Sequence, residues 1–105
     1  MVDIAATPSP PYYAVIFTSK RSENDPGYVA ASQRMIELAL QQKGFLGFES
    51  AKEGLGITVS YWASLESIKQ WKNQIEHKEA QRLGRKIWYD AYKVRISKVE
   101  RDYGV

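Results

Sequence analysis

The chain has no cysteine and a single histidine, His77. Without thiols there can be no disulfide, zinc ribbon, iron–sulfur cluster or cysteine nucleophile, and the composition fits a reducing, cytoplasmic setting. One histidine cannot assemble a zinc site of three or four protein ligands, so no metal is expected. No P-loop or GxGxxG stretch occurs, and no cofactor is expected either. No run approaches the ~20 apolar residues of a membrane span, and residues 1–11 lack the basic start and apolar core of a signal peptide. The formal charge of +3 is a slight Lys/Arg excess on a solvated surface, which asks for neither a nucleic acid nor a membrane.

What is present describes one globular domain. The length of 105 residues suits one domain and not two. A domain this small gains from burial against a partner chain. Thr7-Pro8-Ser9-Pro10-Pro11 cannot form a helix or a central strand, because proline fixes φ and lacks a donor. Residues 1–11 therefore read as an extended arm and 12–105 as the folded domain. Tyr12 to Thr18, aromatic and β-branched, predicts a strand, followed by a polar loop from Ser19 to Asn24. Asp25-Pro26 starts a helix with Tyr28, Ala31, Met35, Leu38 and Ala39 as its apolar stripe, closed by Gly44. Phe45 to Lys52 and Ile57 to Trp62 predict a hairpin turning at Glu53-Gly54-Leu55-Gly56. Ser64 caps a helix with the stripe Leu65, Ile68, Trp71 and Ile75. A further helical segment covers about Lys78 to Ile87, and alternation of Tyr92, Val94 and Ile96 with Lys93, Arg95 and Ser97 predicts a last strand from Tyr89 to Glu100.

The order β-α-β-β-α-β is the ferredoxin-like α+β arrangement, two helices on one face of a four-stranded antiparallel sheet. The strands carry large apolar groups on both faces. An open face exposing Phe17, Val59 and Tyr61 would be a patch that monomers rarely show. A homodimer covering that face is the simplest remedy.

Few motifs carry chemistry. Lys43-Gly44-Phe45-Leu46-Gly47-Phe48 looks like an RNA-recognition signature, but Leu46 is inserted, Glu49 adds a negative charge, and the stretch opens the second strand rather than the third. His77, at a junction between helical segments, is the one side chain titrating near neutral pH, which makes it the candidate catalytic base. Trp62 shares a strand face with Thr58 and Ser60, one large aromatic beside two hydroxyls, and suits the wall of a small-molecule pocket; Trp71 is the second candidate wall. Core packing is the alternative for both tryptophans. Trp88 and Tyr89 suit a core or an interface. Glu49 and Glu53 form no convincing catalytic pair.

The strings from Gly44 to Ser50 (GFLGFES), Gly56 to Trp62 (GITVSYW), Ser64 to Lys72 (SLESIKQWK) and His77 to Gln81 (HKEAQ) resemble the antibiotic biosynthesis monooxygenase (ABM) family. The likeness runs from about Tyr12 to Glu100. It implies a dimeric α/β barrel and a small-molecule ligand, with oxygenation of a small aromatic or polyketide-type molecule without metal or flavin as the expected activity. Haem degradation and non-enzymatic ligand binding are the alternatives. In the family's haem-degrading branch, the iron ligand is a histidine closing a "KEAH"-type motif; this chain has Gln81 there. That branch also uses an asparagine on the first strand, where this chain has none.

Overall fold

The computed structural model of the chain describes residues 3–21, 36–76 and 89–105, with only the backbone of Arg21, Ile75, Glu76, Tyr89 and Asp90. Four strands form one antiparallel sheet: β1 (Tyr12–Arg21), β2 (Phe45–Glu53), β3 (Leu55–Trp62) and β4 (Tyr89–Val99), in the spatial order β2-β3-β1-β4. Two helices accompany it: α1, described over residues 36–40, and α2 (Leu65–Glu76).

The strand ends differ from the expected ones. β1 runs on through Ser19, Lys20 and Arg21, where the sequence reads as a polar loop, because β4 is long enough to pair with it down to Tyr89. The hairpin is tighter than expected. Glu53 pairs directly with Leu55, and Gly54 alone turns the chain at φ +80°. The expected helical segment from Lys78 to Ile87 lies outside the described residues.

Gly44 stops α1 as expected, at φ +92°, a conformation glycine adopts without steric cost. The chain tightens first, with Gln41 N donating to Leu38 O and Gln42 N to Ala39 O. Ser64 caps α2 by accepting from Ser67 N at 3.1 Å, which satisfies one of the free amides of the first turn. The apolar stripe of α2 is narrower than its spacing suggests. Ile68 is buried and Trp71 half-buried, but Leu65 is 54% exposed and Ser67 is buried in its place. Ser67 faces Gly44 so closely that a Cβ there would meet Ser67 Cβ and Oγ at 2.7 Å.

Paired residues on antiparallel strands point to one side. Tyr13 pairs with Trp62, Val15 with Ser60 and Phe17 with Thr58, so these six share the face under the helices. The core sits at one end of it, where Val15, Ala39, Trp62 and Ile68 are buried and Tyr13, Phe45 and Trp71 pack against them. The second face carries Tyr12, Ala14, Ile16, Ile57, Val59 and Tyr61. Phe17 therefore does not join Val59 and Tyr61 on an open face: the register puts it on the helix side. Nor is the second face wholly open. At the Tyr12 end the N-terminal arm lies on it, with Ala5 N donating to Glu49 Oε2 at 2.9 Å and Thr7 Oγ1 to Tyr12 OH at 3.1 Å. The C-terminal segment reaches the same place, where Asp102 accepts from Tyr12 OH at 2.5 Å.

Candidate functional site

The helix face of the sheet has a closed end and an open end. At the closed end Trp62 is wholly buried, with the Phe45 ring edge-on at 5.2 Å and the Trp71 ring tilted 34° at 5.1 Å. Its indole N–H donates to Ser60 Oγ at 2.9 Å, which satisfies a group that would otherwise be buried unpaired. Trp71 is different. Its Nε1 is shut off from solvent and has no hydrogen-bond partner among the described residues.

Toward the open end the face becomes more polar and more exposed. Ser60 and Thr58 are half-buried, and Thr58 Oγ1 lies 3.3 Å from Ser50 Oγ on β2. Phe17, opposite Thr58, stacks on Tyr92 with ring centres 5.6 Å apart and planes inclined 27°. Tyr92, Val94 and Ile96 on β4 are 42%, 47% and 53% exposed. Thr58, Ser60 and Trp62 share the helix face of the sheet, Trp71 of α2 packs on the buried Trp62, and His77 lies outside the described residues. Sequence reasoning passed over Ser50, Phe17 and Tyr92. Ser50 and Tyr92 do alternate in step with Thr58 and Phe17, but only the strand pairing brings them together.

The second face carries the other polar cluster. Tyr61 OH donates to Glu49 Oε1 at 2.6 Å, and the Tyr12 and Tyr61 rings meet edge-to-face at 5.8 Å. Glu49 is thereby committed to Tyr61 and to the arm. Burial, and then the bond to Glu49, push the Tyr61 phenol up to about 12; the bond to Asp102 is the main cause that raises Tyr12. A phenol whose folded value exceeds its unfolded one stabilises the fold fully below about pH 10, and that contribution is lost as pH rises through about 12. Ultraviolet titration should therefore show a tyrosine ionising near pH 12 that is missing in Tyr61→Phe. An unchanged titration in that variant would refute the assignment.

Among the described residues no three His, Cys, Asp or Glu side chains converge as a metal site would require. No helix among them is long and apolar enough to cross a membrane. Phe45, which an RNA-binding sheet would display for base stacking, is packed against Trp62 under the helices.

A four-stranded antiparallel sheet in this order, with two helices on one face, defines a ferredoxin-like α+β domain. The chain belongs to the antibiotic biosynthesis monooxygenase family, whose sequence profile matches residues 11–83. The uncharacterized protein YqjZ of Bacillus subtilis (strain 168) is 53% identical to it over 100 residues, which span 93% of this chain and 88% of that protein. A mutant of SnoaB, a cofactor-independent oxygenase from Streptomyces nogalater, superposes with a TM-score of 0.73 at 8% identity, covering 87% of this chain and 95% of SnoaB. A conserved protein from Methanosarcina mazei Go1 gives 0.69 at 15% identity, covering 88% and 94%. At those identities the two structures speak for the fold alone.

Proposed function

We propose that this chain is a cofactor-independent, monooxygenase-like protein that takes a small aromatic or polyketide-type molecule against the helix face of its sheet. The observation that carries this reading is the Trp71 indole N–H, buried without an acceptor among the described residues. Leaving such a donor unpaired costs about 1–3 kcal/mol, and a ligand carbonyl or phenolate would supply the missing acceptor once α2 shifts far enough from the sheet to admit it. Thr58 and Ser60 offer hydroxyls on the same face, and Trp62 backs them as a packed wall. His77 is the proposed base. It would take the proton from an electron-rich phenol; the phenolate would pass one electron to O2, the two radicals would join in a C–O bond at a ring carbon, and the resulting hydroperoxide would lose water by O–O cleavage to leave a quinone, so that every electron oxygen receives comes from the substrate. The protein's part is orientation, exclusion of water and that single proton transfer. Family membership supports the assignment.

The test is oxygen uptake with phenolic and quinone-type compounds, beside binding measured by tryptophan fluorescence. Trp71→Phe keeps an aromatic ring and removes the N–H. It should weaken binding about three- to tenfold, the worth of one hydrogen bond, with stability little changed. Binding without oxygen uptake would make the protein a ligand carrier. Binding unaltered in Trp71→Phe would remove Trp71 from the site.

The protein is also proposed to be a homodimer through the second face. Ile16 and Val59 are only half-buried there and Ile57 is 43% exposed. Val59→Asp would bury an unpaired carboxylate in such an interface, at a cost of several kcal/mol. The variant should sediment as a monomer at concentrations where the wild type is a dimer. A wild type that is monomeric at micromolar concentration would refute the homodimer.

A further inference from the structure

Four electron-rich rings lead through the sheet from one face to the other. On the helix face the half-buried Trp71 lies 5.1 Å from the buried Trp62. Tyr61 precedes Trp62 on β3 and points to the opposite side, so one peptide unit links the two rings across the sheet. On the second face Tyr61 meets Tyr12 edge-on at 5.8 Å. Packing alone would be served as well by phenylalanines. What sets these rings apart is their hydrogen bonds, which differ from face to face. Trp71 Nε1 has no acceptor among the described residues, and Trp62 Nε1 donates to the neutral Ser60 hydroxyl. Both tyrosines donate to carboxylates instead, Tyr61 to Glu49 at 2.6 Å and Tyr12 to Asp102 at 2.5 Å. Bonds of that length to an ionised acceptor are the strong, charge-assisted kind.

That asymmetry decides where an oxidising equivalent comes to rest. An indole that loses an electron becomes acidic at nitrogen. With no base at its N–H it keeps the proton and stays a strong oxidant. A phenol that loses an electron beside a carboxylate hands over its proton at once and is held as a neutral radical. We propose that Trp71, Trp62, Tyr61 and Tyr12 form a relay that carries one-electron oxidising equivalents from the helix face to the second face, with Glu49 and Asp102 as proton acceptors. The relay stands on these contacts alone, whereas its use rests on the oxygenase reading. On that path, homolysis of the hydroperoxide in place of loss of water would give an alkoxyl and a hydroxyl radical. Each that takes one electron from Trp71 and one proton from water leaves as an alcohol or as water. Trp71 is refilled from Trp62, Tyr61 and Tyr12 in turn, and Tyr12 passes its proton to Asp102. Asp102 is exposed, so a soluble thiolate can return the electron there. The thiolate ends as a thiyl radical, and the proton goes back to Tyr12.

Pulse radiolysis of the full chain with azide radicals tests the relay, because at neutral pH these radicals take an electron from tryptophan in preference to tyrosine. In a Trp88→Phe background Trp62 and Trp71 are the two tryptophans left. The indole-radical absorption should decay with a matching growth of phenoxyl absorption, at a rate independent of protein concentration. Tyr12→Phe/Tyr61→Phe should lose that growth. So should Glu49→Gln/Asp102→Asn, which keeps every ring and removes the proton acceptors. Tyr103→Phe, which changes a tyrosine that is 94% exposed, should retain it. Circular dichroism checks the fold of each variant. Phenoxyl growth retained in either double variant, or a rate that rises with protein concentration, would overturn the relay. Oxygen uptake plays no part in this measurement. A protein without oxygenase activity would lose the use proposed for the relay but not the relay.

Discussion

Trp62→Ala should lower the unfolding free energy by about 3–5 kcal/mol, the range for emptying a large aromatic from a core. Trp62 is the one wholly buried large side chain among those described, and it touches both tryptophan and phenylalanine rings in a cluster that includes Val15, Ala39 and Ile68. The truncation would also leave Ser60 without the donor it now accepts from. In a domain of this size such a loss is a large share of the total stability, so the variant should be partly unfolded at room temperature. Trp62→Phe, which keeps a ring in the cluster, should lose markedly less. Urea unfolding followed by circular dichroism measures both. A loss below about 1 kcal/mol for Trp62→Ala would mean that the cluster is not the core of the domain.

Gly44→Ala should cost about 2–4 kcal/mol, from two sources that a second variant separates. At φ +92° an L-residue is strained. The added Cβ would also stand 2.7 Å from Ser67 Cβ and Oγ, and Ser67 is held by its bonds to Ser64. Gly44 O further accepts from Ala63 N at 2.7 Å, so the backbone there cannot swing away freely. Gly54 has φ +80°, and a Cβ added there would meet nothing within 4 Å. Gly54→Ala should therefore cost only the conformational term, about 1 kcal/mol. Equal losses in the two variants would show that α2 yields to the methyl group and that the contact does not hold helix and hairpin together.

Much of the architecture is written in local chemistry. Pro8, Pro10 and Pro11 exclude regular structure before Tyr12, Gly44 permits the turn after α1, and Ser64 supplies the cap of α2. Each works through bonds or torsions within a few residues of itself. Other features needed the register. Alternation along β1 sorts its residues into two sets but is blind to which set faces the helices, and so Phe17 could be grouped with Val59 and Tyr61. Pairing with Thr58 puts it on the other side, stacked on Tyr92. Ser19 to Arg21 look like a loop because no local preference favours a strand there; they are strand because β4 bonds to them. Leu65 fits a helical stripe, yet the close approach of Gly44 turns Ser67 inward instead.

The candidate site divides in the same way. Thr58, Ser60 and Trp62 share a strand face by the two-residue period alone. That Trp62 is sealed while the Trp71 N–H finds no acceptor among the described residues depends on how α2 rests against the sheet. The order of elements and which residues alternate together could be read from the chain alone, because they follow from torsional preferences and from hydrophobic periods of two and 3.6 residues; the family was legible only through the resemblance carried by the strings from Gly44 to Ser50, Gly56 to Trp62, Ser64 to Lys72 and His77 to Gln81. Folding was needed to assign each set to its face and to bring Ala5 and Asp102 back onto Glu49 and Tyr12 across 44 and 90 positions of chain. Those outcomes depend on contacts between residues far apart in sequence, where local propensity carries no information.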